Sequence, residues 1–239
     1  LLADKQAGEI DLVVIRENSE GEYVDLGGRF RRGSADEHAL QTAIHSRKGI
    51  ERVLRYGFEL AASRRGRLTM ITKSNALKHA FGLWEDVLAD VASEFSGIEC
   101  DRQHCDAAAM DLVRRPEAFD VIVASNLFGD LLTDLAGAIV GGLGLAPSAN
   151  INPDRNFPSM FEPVHGSAPD IAGQGVANPV AAILSAAMML DFLGEAAAAT
   201  AIESATQAAL RNGHHTPDLG GQLTTRQMGD AILAGIART

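Results

Sequence analysis

Nowhere in this chain do roughly 18 uncharged apolar residues run together, the length a membrane-spanning helix needs. The richest stretch, residues 176–190, is shorter and studded with alanine. No basic segment followed by an apolar one opens the chain, so nothing points to secretion and a cytoplasmic location is expected. Positive charge is also scarce. Lys and Arg number 21 against 31 Asp and Glu, a net charge of −10. Phosphate backbones need a basic face, so this balance speaks against nucleic acid and leaves small molecules and metal ions as expected partners. Only two cysteines are present, Cys100 and Cys105, on either side of His104. A structural zinc site wants more ligands at tighter spacing, and the pair reads as two reduced thiols. No G-x-G-x-x-G follows a strand, so the usual dinucleotide fingerprint is missing. The chain of 239 residues begins Leu1-Leu2-Ala3-Asp4, without an initiator Met, as if cut from something longer.

What is present is an ordinary globular composition, 46% hydrophobic and 22% charged, far from the low hydrophobicity of disordered chains. At roughly 100–200 residues per domain, the length predicts one large or two small domains. Residues 10–15 (IDLVVI), 68–72 (LTMIT) and 119–124 (FDVIVA) read as buried strands, with a weaker one at 98–101. Helical patterns lie between them. Ile50, Val53, Leu54, Gly57, Phe58 and Ala61 follow helical spacing, and residues 77–95 and 107–114 supply two more helices. Such alternation predicts an α/β domain with a largely parallel sheet. Residues 27–45, polar and glycine-rich, interrupt the rhythm and read as an arm or hairpin suited to subunit contact. Beyond about residue 141 the texture changes. Residues 147–169 are rich in Pro, Ser and Asn and read as loop. Helices with recognisable ends follow: Asn178-Pro179 to open one, Gly194 and Gly213 as stops, Thr224 or Thr225 as a cap. Several helices with almost no strands make this part look like half of a sheet domain.

The firmest local signal is residues 125–134 (SNLFGDLLTD), directly after the strand FDVIVA. Asp130 and Asp134, four apart at a helix start, share a face. Spacing alone is compatible with two solvated acids. Like charges this close are unfavourable unless something positive lies between them, and a hard divalent cation serves best. Position adds weight, because Asp130 lies just past the carboxyl end of its strand, where open α/β sheets bind ligands. Arg16, Lys73 and Asp106 fall at equivalent places after their own strands. A guanidinium, an ammonium and three carboxylates at one rim suit a carboxylate-bearing substrate held on a metal, and Tyr23 could join them as an acid. Residues 162–170 (EPVHGSAPD) offer backbone N–H groups and a carboxylate suited to a nucleotide ribose. Alone this loop is weak, since a solitary histidine in a turn is more often just a turn residue.

Taken together, residues 16–23 (RENSEGEY), 72–75 (TKSN), 104–106 (HCD), 125–134 and 161–179 (FEPVHGSAPDIAGQGVANP) resemble the isocitrate/isopropylmalate dehydrogenase family, in order and over the whole chain. Residues 146–161 (APSANINPDRNFPSMF), with 27–30 (GGRF) and 55–58 (RYGF), look most like its tartrate dehydrogenase/decarboxylase and D-malate dehydrogenase branch. The resemblance implies an isopropylmalate-dehydrogenase-like, two-domain α/β fold. Residues 1–140 would form the central substrate, metal and dimerisation domain with its arm, and 141–239 the C-terminal part of the nucleotide-binding domain. In the family a further segment precedes the one matched by Leu1. Its first strands would be missing here, leaving Val180, Ile183, Leu184 and Met188 partly uncovered, the C-terminal part less stable and NAD binding weak.

The resemblance also assigns roles. Arg16 would bind a substrate carboxylate, while Tyr23 and Lys73 would move protons. Asp106, Asp130 and Asp134 would hold Mn²⁺ or Mg²⁺. Lys73 and Asp106 would complete the site of a second subunit in a homodimer. His165, Gly166, Ser167, Ala168, Asp170 and Asn178 would bind the cofactor, with Asp170 favouring NAD by repelling the 2′-phosphate of NADP. The implied reaction is NAD-dependent oxidation of a small 2-hydroxy dicarboxylic acid, tartrate or D-malate, with β-decarboxylation. The alternatives are a 3-isopropylmalate dehydrogenase or a non-catalytic regulatory or scaffold homologue. The last would be expected to have lost a metal carboxylate, Lys73 or Tyr23, and all are intact.

Overall fold

The computed structural model describes Lys5 and residues 8–237. These fall into two compact units that divide at Ala136/Gly137. Among the described residues no helix is long and apolar enough to cross a membrane.

Unit 1 is built on a four-stranded parallel sheet. In chain order its strands are β1 (Val13–Arg16), β4 (Arg67–Thr72), β5 (Glu99–His104) and β6 (Val121–Ala124), and in space they run β1-β6-β4-β5. Strand β6 is apolar and buried at every position, as a strand covered on both faces must be. The expected 10–15 strand starts three residues later, at Val13, and the weak third strand extends to His104. Strand β5 carries Glu, Asp, Arg and Gln because it is an edge strand, paired with β4 alone. The 27–45 segment forms the expected hairpin: β2 (Gly27–Phe30) pairs antiparallel with β3 (His38–Gln41).

The helices of this unit are α1 (Arg47–Ala62), α2 (Lys78–Ala92), α3 (Cys105–Arg114) and the greater part of α4 (Asn126–Ile139), whose last three residues belong to unit 2. Ser46 caps α1 by accepting the Gly49 N–H. The whole predicted stripe, Ile50, Val53, Leu54, Gly57, Phe58 and Ala61, is buried. Each fully buried large side chain of this kind contributes about 1.5–3 kcal/mol, several times the ~0.7 kcal/mol that separates ordinary residues in intrinsic helix propensity. Gly57 is the contact point with the sheet, where a Cβ would lie 2.6 Å from Val123 Cγ2. An aromatic group completes the core: Phe81 stacks on Phe128 with ring centroids 5.1 Å apart and lies beside the buried Trp84.

Unit 2 differs from the sequence reading in two respects. Residues 147–169 are not all loop. Here β7 (Pro147–Asn150) and β8 (Met160–Pro163) form an antiparallel ribbon with Pro147 opposite Pro163. Prolines at the strand ends lose no ladder bond there, so the loop-like composition concealed the pairing. Helix α5 (Val180–Phe192) packs on this ribbon and on α6 (Ala196–Arg211), which packs on α7 (Thr225–Ile236). The core comprises Val180, Ala205, Ala209, Met228 and Ile232. Val180 is fully buried, while Ile183, Leu184 and Met188 are half-buried. Asn178 Oδ1 accepts the Val180 N–H, so α5 begins at Val180, one residue later than the proline at its cap position. Thr224 and Gln227 form a capping box on α7.

Candidate active site

The carboxyl ends of the four parallel strands carry the polar residues that the sequence singled out. Arg16 ends β1, Lys73 follows β4, and Asp106 follows β5. Asp130 follows β6, and so does Asn126, which the sequence did not single out. Two of these stations sit deeper in helices than spacing indicated. Helix α3 starts at Cys105, so Asp106 is in its first turn, and α4 starts at Asn126, so Asp130 lies one turn inside it.

Arg16, Tyr23 and Asp130 come together. Arg16 Nη1 donates to Asp130 Oδ1 at 2.7 Å, and the Tyr23 hydroxyl donates to Asp130 Oδ2 at 2.9 Å. The guanidinium carbon also lies 5.3 Å from the centre of the Tyr23 ring. Ion pairs as exposed as this one contribute at most about 1 kcal/mol, so its importance is geometric. The bond to Asp130 raises the Tyr23 pKa above its ordinary value, as do partial burial and the Asp130 charge, with Arg16 opposing. The phenol therefore keeps its proton at neutral pH and can serve as a donor. Gly129 makes room for Arg16: a Cβ there would fall 2.5 Å from Arg16 Cγ.

Asp134 stands one turn further along α4, exposed and without an ion-pair partner among the described residues. Lys73 and Asp106 form a second pair, with Nζ donating to Oδ1 at 2.7 Å, and this bond holds the Asp106 carboxyl below its usual range. Behind them Glu85 accepts from the Thr72 hydroxyl at 2.9 Å and from Arg102 at 2.6 Å. Burial opposes ionisation of Glu85, but the Ser74 and Thr72 hydrogen bonds and the charge of Arg102 outweigh it and keep it ionised. Among the described residues no group of three or more His, Cys, Asp or Glu side chains gathers into a metal site. Asp130 and Asp134 share one helix, while Asp106 stands with Lys73.

Several supporting residues escaped the sequence reading. Buried Glu17 accepts from the backbone N–H groups of Ser19 and Glu20 at 3.0 and 2.9 Å, from the Ser19 hydroxyl and from Arg52 at 3.2 Å. Glu20 accepts from the backbone and hydroxyl of Ser46, the cap of α1. The loop between Arg16 and Tyr23 is thus fastened to α1. Asn126 contacts both Arg16 and this loop. The dense polar run RENSEGEY was the only local sign of such a network.

In unit 2 the predicted cofactor loop is exposed from Gly166 through Asp170. Ala168 adopts φ 45°, the left-handed region that costs a residue with a Cβ of order 1–3 kcal/mol and that clusters at ligand-binding turns. His165 Nδ1 donates to the Gly166 carbonyl at 2.9 Å. The Asp170 carboxylate has no partner among the described residues. Asn178 is buried; besides accepting the Val180 N–H ahead of α5 it donates to Asp218 at 3.0 Å, and among the described residues its second amide N–H has no partner.

Known proteins resemble this chain over most of its length. The isocitrate/isopropylmalate dehydrogenase family matches residues 2–232. A probable tartrate dehydrogenase/decarboxylase of Bacillus subtilis (strain 168) is 53% identical over 230 residues, covering 96% of this chain and 65% of that protein. D-malate dehydrogenase [decarboxylating] of Escherichia coli (strain K12) is 50% identical over 243 residues, covering 99% and 67%. A 3-isopropylmalate dehydrogenase of Corynebacterium efficiens is 51% identical over 232 residues, covering 97% and 67%. The crystal structure of an isocitrate dehydrogenase from Methylococcus capsulatus superposes with a TM-score of 0.88 at 42% identity, covering 94% of this chain and 67% of that one. The chain spans about two thirds of the length of the curated relatives it matches.

Proposed function

The chain belongs to the isocitrate/isopropylmalate dehydrogenase family, and from that premise we propose a cytoplasmic enzyme that oxidises a 2-hydroxy dicarboxylic acid, tartrate or D-malate, with NAD and a divalent metal and with loss of the β-carboxylate as CO₂. One observation carries the reading. At the carboxyl rim of a parallel sheet, a guanidinium and a protonated phenol converge on a helix carboxylate, beside a second carboxylate on the same helix.

The donor set fits a hard divalent cation. Asp130 and Asp134 offer oxygens from one helix face, and Asp106 offers another from a separate station that would serve the site of a second copy in a homodimer. A bound Mn²⁺ or Mg²⁺ would lower the pKa of the substrate hydroxyl and polarise the oxo group that replaces it. For the cofactor, the exposed loop with Asp170 at its tip suits the ribose of NAD and repels a 2′-phosphate.

The chain's own residues supply the rest. Arg16 has five N–H groups, of which two go to Asn126 and one to Asp130; the remaining two, beside the Tyr23 hydroxyl, would be available to a substrate carboxylate. Lys73, whose Nζ is held against Asp106, would take the hydroxyl proton in its neutral form, having first given up its own proton to solvent, while a bound NAD would accept the hydride from the carbon that bears the hydroxyl. Tyr23, with its pKa raised, keeps a proton to return to the carbon that loses CO₂.

A second reading, 3-isopropylmalate oxidation, is favoured by the 51% identical relative of that name. Turnover of D-malate, tartrate and 3-isopropylmalate by the full-length protein, with NAD and Mn²⁺, separates them. The proposal expects the highest kcat/KM with D-malate or tartrate. A clear preference for 3-isopropylmalate would establish the second reading, and no turnover of any of them would overturn both.

A further inference from the structure

Asn126 opens α4 and is buried, although it is polar and belongs to none of the groups assigned a role above. Its amide meets the site with both its oxygen and its nitrogen. Arg16 Nε and Nη2 both donate to Oδ1, at 3.0 and 2.8 Å, and Nδ2 donates to the Glu20 carbonyl at 2.8 Å. These contacts fix the amide's orientation: a flipped amide would set its N–H groups against the guanidinium donors and its oxygen against a carbonyl. Gly21 permits the approach, adopting φ +82° with the position of a Cβ only 3.1 Å from Asn126 Cβ.

We propose that Asn126 is the positioning residue for Arg16, holding one edge of the guanidinium so that its opposite N–H groups face the substrate carboxylate. An amide suits this task better than a carboxylate would. It accepts two hydrogen bonds without cancelling the charge that must attract the substrate, and its N–H₂ ties Arg16 to the loop that ends in Tyr23. Aspartate at 126 would keep the shape, but it would compete with the substrate for the guanidinium and oppose the Glu20 carbonyl. The proposal rests on the dehydrogenase reading for its consequences, and on hydrogen bonds alone for its geometry.

Two measurements on the full-length protein test it. The first is kinetic. Asn126→Ala and the isosteric Asn126→Asp are each expected to raise KM for the hydroxy acid about tenfold to a hundredfold, as for loss of a hydrogen bond to a charged group, with KM for NAD unchanged and kcat within about threefold. In an Arg16→Ala background the Asn126 substitutions should have no further effect, because they act through Arg16. Unchanged KM in both variants, or an effect that persists without Arg16, would overturn the proposal. The second measurement needs no turnover. A proton–nitrogen correlation spectrum should show a slowly exchanging Arg16 Nε–H, identified by its loss in Arg16→Lys and absent from Asn126→Ala. The same signal in Asn126→Ala, or none in the wild type, would overturn it. A wild-type protein that oxidises no hydroxy acid would count against the dehydrogenase reading, and the spectrum would still decide the role of Asn126.

Discussion

Asp130 receives Arg16 on one carboxylate oxygen and Tyr23 on the other, so one side chain ties together the residues proposed for substrate, metal and proton. Asp130→Asn removes a charge while keeping the shape. It is expected to weaken Mn²⁺ binding and metal-dependent turnover by about a hundredfold or more, measured by calorimetry and by initial rates; unchanged values would remove the metal assignment. Other residues give sharp expectations away from the site. Burial pushes the Cys100 thiol up to about 11 and raises Cys105 as well. Both should react slowly with alkylating reagents at neutral pH, and rapid labelling of the folded protein would contradict this burial. Asp111 accepts from Arg115 and Gln103, Arg115 being the stronger influence, and its pKa falls to about 2. A free aspartate titrates near ~3.9. The stabilisation is therefore complete above that value and is lost as pH falls toward 2. Acid titrations of wild type and Asp111→Asn should differ in stability near neutrality and converge at the acid end.

Helix α1 shows what a sequence can reveal about an element. The residues of its predicted stripe recur at helical spacing, and all of them are buried. Gly57 belongs to that stripe for a different reason. Its missing side chain lets the helix approach β6, so Gly57→Ala should destabilise the protein by about 1–3 kcal/mol despite alanine's better helix propensity. Denaturant unfolding of the two proteins checks this, and equal or greater stability of the variant would show that α1 is not in close contact there. Strand β5 was read short because an edge strand needs no apolar alternation, and the β7–β8 ribbon was missed because prolines bracket two half-exposed strands. Asn126 and the Glu17 and Glu20 clamps were invisible for a related reason. Arg16 and Asn126 are 110 residues apart, and only strand pairing between β1 and β6 brings them together. Periodicity reports burial, not a partner so distant in sequence.

Across the molecule, the alternation of strands and helices and five motifs in order carried the α/β class and the family, both of which the comparisons establish. The candidate site was legible as four stations at strand ends, because in a parallel sheet those ends share one rim. What held the stations in place was not. In the second unit the proposed role of the exposed Asp170 carboxylate ties cofactor choice to charge: if it repels a 2′-phosphate, Asp170→Ala in the full-length protein should raise kcat/KM with NADP relative to NAD, and an unchanged ratio would assign that choice to other residues. The central claim is a metal-dependent oxidative decarboxylation, and its most direct measurement follows NADH and CO₂ together as the full-length protein turns over D-malate or tartrate with NAD. The account predicts one CO₂ for each NADH, with both ceasing on chelation of the divalent metal and returning when Mn²⁺ is restored. NADH formed without CO₂, or turnover indifferent to chelation, would contradict it.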